Sequence, residues 1–148
     1  MQITSQKAFT MVELIFVVIV IGILSAIALP KFAETTIIAK TSKAASELAA
    51  VRSSLATERQ KRILRGDTGA ITSLGNVFTN FSAAADGSTP AVLDYPPTAC
   101  SGSEKGCWAV SGTSYTYKFA DSGDAKFKLA GNKLVCDNDA SDCAKLEK

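Results

Sequence analysis

The chain has no histidine among its 148 residues. That removes the commonest general base and the commonest metal ligand together, and most hydrolase and metalloenzyme designs with them. Charge of either sign is also scarce as a net quantity. Sixteen Lys and Arg stand against fourteen Asp and Glu, a formal balance of only +2, which argues against a nucleic-acid binder held by bulk charge. No P-loop and no nucleophile elbow is present, so the expectation is a protein that is not an enzyme and carries no cofactor. A single tryptophan and 7% aromatic residues leave aliphatic side chains to supply most of the apolar surface.

Those aliphatic residues are gathered at one end. Leu14 to Leu29 reads LIFVVIVIGILSAIAL without a charge, and extension back to Phe9 adds one carboxylate, Glu13. A helix of about twenty-one residues spans roughly 30 Å, the thickness of a bilayer core. The rest of the chain offers too little apolar surface to wrap such a rod as a buried core helix. A removable secretory signal fits poorly, because Glu13 stands at the head of the apolar run and no convincing small-x-small site follows Leu29. The expectation is a retained membrane helix. Glu13 is then costly unless it finds a partner, and Lys7 stands too far along a helix to be one. A free amine created by cleavage before Phe9, in this chain or a neighbour, would serve.

The stretch Lys7-Ala8-Phe9-Thr10-Met11-Val12-Glu13-Leu14, followed by the aliphatic run to Pro30, resembles the class III signal of type IV pilins and pseudopilins. The resemblance covers residues 7–32. It implies cleavage by a prepilin peptidase between Ala8 and Phe9 and N-methylation of Phe9. It also implies an apolar helix held in the inner membrane, with a periplasmic head, until an assembly platform extracts the subunit into a pilus or pseudopilus of like copies. By position, Glu13 matches the family's glutamate, and Gly22 and Pro30 match its helix-weakening residues. Ala8 departs from the glycine usual before the cut. In a filament, a buried Glu13 would fix register by meeting an amine at its own depth. Gly22 and Pro30 weaken the helical ladder locally, although Gly22 equally suits close helix packing.

Beyond Pro30 the pattern stays helical. Residues 31–65 lack Gly and Pro, and Ala44, Leu48, Val51 and Leu55 repeat at steps of four, three and four, with Ile37 also apolar. This predicts an amphipathic half-helix whose polar side carries Lys40, Lys43, Glu47, Arg52, Glu58 and Arg59. It should end near Gly66-Asp67 with last-turn cations Lys61, Arg62 and Arg65. Four cations, Arg59, Lys61, Arg62 and Arg65, could meet a nucleic-acid backbone, as in a minor pilin or competence pseudopilin, but no aromatic residue is interleaved for base stacking.

The fold expected is α+β. A leader, residues 1–8, precedes an assembly half-helix, 9–30, an amphipathic half-helix, 31–65, and a head, 66–148. A short helix is possible over Leu74–Ala84 in an otherwise loop-rich stretch. From Cys107 onward apolar residues alternate, predicting four antiparallel strands near 107–110, 114–120, 125–130 and 133–136. The cysteines, Cys100, Cys107, Cys136 and Cys143, are even in number, and a periplasmic head favours disulfides. Three pairings are possible. Gaps of seven favour Cys100–Cys107 with Cys136–Cys143, and the cross-linked alternatives stay open. Those gaps are too wide for a zinc site. Asp137, Asp139 and Asp142 crowd the last loop, a set of oxygens that suits calcium, but no glycine turn or closing glutamate follows. A solvated acidic loop is the expectation there.

Overall fold

The computed structural model describes residues 9–137 and 140–147. Ala8 and Asp139 lie outside the described residues. Helix α1 runs over Met11–Leu64, and four strands follow: β1, Cys107–Ser111; β2, Ser114–Lys118; β3, Asp124–Ala130; and β4, Lys133–Cys136. A short helix α2, Ala140–Ala144, comes last. The chain divides into two compact units, one through Thr36 and one from Ile37. The layout is the α+β arrangement of a long N-terminal helix and a small antiparallel sheet.

In the first unit α1 continues without a break across Gly22 and Pro30. Pro30 has no N–H, so the carbonyl of Ala26 loses its donor one turn on. Large apolar side chains here stand exposed, among them Ile15, Phe16, Leu24 and Phe32. The segment is long and apolar enough to cross a membrane, and no residue of its apolar window is buried.

In the second unit the sheet is a meander in the order β1-β2-β3-β4. Alternation places one set of side chains on a shared inner face. Trp108 stands opposite Tyr117, Tyr115 opposite Phe127, and Leu129 opposite Leu134. Ala44, Leu48, Val51 and Leu55 of α1 join them in one core. Phe78 sits between the layers, edge-on to Trp108 and stacked on Tyr115, each at 5.0 Å. Such aromatic pairs add roughly 0.5–1.5 kcal/mol beyond the area they bury. The two-residue β3–β4 turn is Gly131-Asn132, both with positive φ, the geometry that matches strand twist. Asn132 Oδ1 also accepts the Ile71 N–H at 2.7 Å, which ties the turn to the loop after α1.

Both sheet edges are occupied. Beside β1, Ala99 bridges Trp108 in parallel, and the Cys100 N–H donates to the Trp108 carbonyl at 2.7 Å. Beside β4, the Arg52 guanidinium donates to the Leu134 carbonyl at 3.2 and 3.3 Å.

Three expectations need correction. No helix forms over Leu74–Ala84. Gly75, Val77 and Phe78 take positive φ, of 66°, 42° and 62°, so the chain coils in turns that a right-handed helix cannot accommodate. The helix-like spacing of Leu74, Val77, Phe78 and Phe81 is met instead by irregular turns that bury all four. Tyr115 stabilises them, because its Oη accepts the Leu74 N–H at 2.8 Å. Second, Glu58 does not face solvent. It is 4% exposed and belongs to the buried stripe of α1. Third, the last acidic loop is not wholly irregular, since α2 begins inside it. Burial of Cys143 and Leu146 draws that segment into a helical turn against β3.

Candidate functional site

The N-terminal segment is the first candidate. Phe9 is 80% exposed. Helix α1 starts with Thr10 as its cap, whose Oγ1 accepts the Glu13 backbone N–H at 3.2 Å. Thr10-Met11-Val12-Glu13 has the Ser/Thr-x-x-Glu spacing of a capping box, a signal the apolar run conceals. Glu13 in the first turn is also favoured by the helix dipole. The carboxylate therefore has a local stabiliser where it stands, and a positive group nearby would add to it. An added Cβ at Gly22 would meet no atom within 4 Å, so the helix surface there is open to another helix.

The basic cluster at the end of α1 has a different employment. Arg62 is 1% exposed. Its Nε donates to Glu58 Oε1 at 2.9 Å, and its Nη2 donates to the Ser82 carbonyl. Arg65 Nη1 meets Asp86 Oδ2 at 3.0 Å, and Arg65 Nη2 lies 3.6 Å from Glu58. Arg59 Nη1 donates to the carbonyls of Thr68, at 3.2 Å, and Gly69, at 2.8 Å. Only Lys61 stands exposed without such a bond among the described residues. Three of the four cations thus fasten residues 66–88 to the helix end.

Asp67 completes that fastening. Its carboxylate accepts the Ala85 N–H at 2.9 Å and the Gly69 N–H at 2.8 Å. Those two hydrogen bonds, aided by Arg62 and Arg59, hold its carboxyl below the ordinary carboxylate range. The Ser88 hydroxyl and N–H do the same for Asp86. Burial pushes the Tyr117 hydroxyl up, and Glu47 adds to it. Tyr117 Oη donates to the Lys40 carbonyl at 3.1 Å.

Cys100 is joined to Cys107 and Cys136 to Cys143, each pair seven residues apart. The first bond closes the loop beside β1, and the second anchors α2. Asp137 pairs with Lys128 Nζ at 2.5 Å and Asp142 with Lys145 Nζ at 3.1 Å. Both carboxylates therefore already face a lysine ammonium. Among the described residues no group of three or more acidic or sulfur side chains is placed to hold a metal ion.

Comparison with known proteins bears on the N-terminal segment. The family described as the prokaryotic N-terminal methylation motif matches residues 3–29. Two proteins of Pseudomonas aeruginosa, each called "Fimbrial protein", are 40% identical to the chain over 62 residues, 42% of this chain and 38% of theirs. The chain thus spans well under half the length of those curated relatives. No solved structure matches it. A methylation motif opening an apolar helix, followed by a small antiparallel sheet, is a pilin-like layout.

Proposed function

We propose that the chain is a filament subunit of a type IV pilus. It is cut between Ala8 and Phe9 by a prepilin peptidase, methylated at Phe9, and held in the inner membrane by residues 9–30 until an assembly platform extracts it. The amphipathic half, 31–65, and the remainder, 66–148, form the periplasmic and later surface-exposed head. The observation that carries the reading is the exposed apolar surface of α1 up to Leu29 beneath a lone carboxylate, Glu13. Such a surface is stable in lipid, or in a bundle of identical helices, and not in water. In the bundle Glu13 is desolvated, and the Phe9 amine of an adjacent copy compensates it. A type II secretion-type pseudopilus would use the same chemistry; the fimbrial relatives favour the pilus. A DNA-binding minor subunit is disfavoured, because Arg59, Arg62 and Arg65 are committed within the fold.

The test replaces Glu13 with Val in cells that assemble the filament. Cleavage, membrane level and head stability should stay unchanged while sheared filaments fall. Undiminished filaments from Glu13→Val would show that the carboxylate does not set register.

A further inference from the structure

Among the described residues, the unit from Ile37 carries an open groove and an exposed knob. The groove, of about 670 Å³, lies between α1 and the β3–β4 turn. Its floor is apolar, from Leu55, Ala56 and Leu134, and its rim is basic, from Arg52, Arg59 and Lys133. Arg52 has Glu147 as a partner. Arg59 bonds only to backbone carbonyls, and Lys133 has no ion pair among the described residues. Lys133 therefore leaves the rim a positive charge without a partner among the described residues.

The knob is Tyr95, 93% exposed and the most exposed aromatic side chain among the described residues. It stands between Asp94, exposed and without an ion pair among the described residues, and the stiff Pro96-Pro97 pair. An exposed tyrosine on a proline-stiffened loop binds with little ordering cost.

Helix geometry places knob and groove on different flanks. The Ser54 hydroxyl donates to the Val92 carbonyl at 2.6 Å, which seats the loop leading to Tyr95 on the Ser54 side of α1. At 100° per residue, Ser54 stands two residues, and so about 160° around the helix, from both Arg52 and Ala56. Two complementary patches on nearly opposite flanks of one molecule cannot satisfy each other. Between copies they make a head-to-tail contact, which propagates into a filament where its rotation does not close a ring.

We infer that Tyr95 of one copy docks in the groove between Ala56 and Leu134 of the next, with Asp94 against Lys133. Occupancy by a second copy is argued from this charge complementarity, and it rests on the filament reading above. The tyrosine ring covers the apolar floor of Leu55, Ala56 and Leu134, as a buried aromatic anchor does. The contact lies outside the apolar helix and would set the rotation between neighbouring heads.

The experiment uses the full chain in assembling cells. A photoreactive p-benzoylphenylalanine at position 95 should cross-link to residues 52–60 or 131–135 of a second copy. Asp94→Lys should lower sheared filaments about tenfold, as expected for loss of a central contact, and Lys133→Asp in the same chain should restore them. Both positions are exposed, so neither change threatens folding. Filaments whose cross-link maps elsewhere, or to a different protein, overturn the docking and leave the subunit reading intact. A double variant no better than Asp94→Lys does the same. Absence of filaments from the unsubstituted chain sinks the subunit reading and this contact with it.

Discussion

Glu58 and Arg62 face each other one helical turn apart inside the core, 2.9 Å between Oε1 and Nε, with side chains 5% and 1% exposed. They extend the apolar stripe of α1, 44, 48, 51 and 55, by the same steps of three and four. Arg62 reaches through this layer to the Ser82 carbonyl, so the pair holds the loop as well as neutralising itself. Removing one partner leaves a buried charge, a loss of about 3–5 kcal/mol. Arg62→Ala should therefore lower the urea midpoint of the detergent-solubilised protein severely. Joint replacement by Glu58→Leu and Arg62→Met should cost less than Arg62→Ala alone. A double variant as unstable as the single would show that the Ser82 bond, and not charge burial, dominates.

Acid should weaken the head through Asp67 and Asp86. Their folded carboxyls lie below their ordinary values because they accept hydrogen bonds from Ala85, Gly69 and Ser88. A depressed folded value contributes stability that is complete above the unfolded value, about pH 4, and lost as pH falls through the folded one. The melting temperature should be flat from pH 7 to 5 and fall below 4. Asp67→Asn should flatten that decline; an unchanged acid limb would show that Asp67 does not contribute.

The two disulfides should differ in worth. Each closes a loop of similar size, for which chain entropy alone gives about 2–3 kcal/mol. Cys136–Cys143 also holds Cys143 and Leu146 in the core, whereas neither Cys100 nor Cys107 is fully buried. Cys136→Ser with Cys143→Ser should lower the melting temperature more than the Cys100, Cys107 double replacement. It should also open the C-terminal segment to protease. Equal losses would show that α2 adds nothing beyond loop closure.

The Thr10 cap gives a fourth expectation. Thr10→Ala removes the acceptor for the Glu13 N–H and should fray the first turn of α1, at about 1 kcal/mol. Hydrogen exchange at Met11–Glu13 in micelles should rise while exchange in the sheet stays unchanged. Protection equal to the parent would mean that Thr10 does not cap the helix.

The sequence makes the long helix and the meander legible because their periods, near 3.6 and two, persist over many residues. The Leu74–Phe81 stretch misleads because apolar spacing reports burial, and only the positive φ at Val77 and Phe78 shows how the backbone achieves it. Glu58 was readable in principle, since it falls on the core stripe. A charge there is acceptable only because Arg62 arrives one turn later, and composition rules sort charges outward. Likewise, four closely spaced cations read as a surface patch until the carbonyls of Thr68, Gly69 and Ser82 close on them. Those acceptors are backbone atoms, which no residue pattern displays.

In the filament proposed above, the guarded margins of the sheet would acquire a use. A subunit stacked beside many copies of itself meets identical strands at very high local concentration, the condition under which open margins recruit one another into fibrils. Here Ala99 and Cys100 run along β1, Arg52 occupies the Leu134 carbonyl of the four-residue β4, and Lys133 adds a charge at its start. Side chains, and not shared backbone ladders, are then left to join neighbouring heads. A polymer built that way can be dismantled subunit by subunit without any head having to unfold.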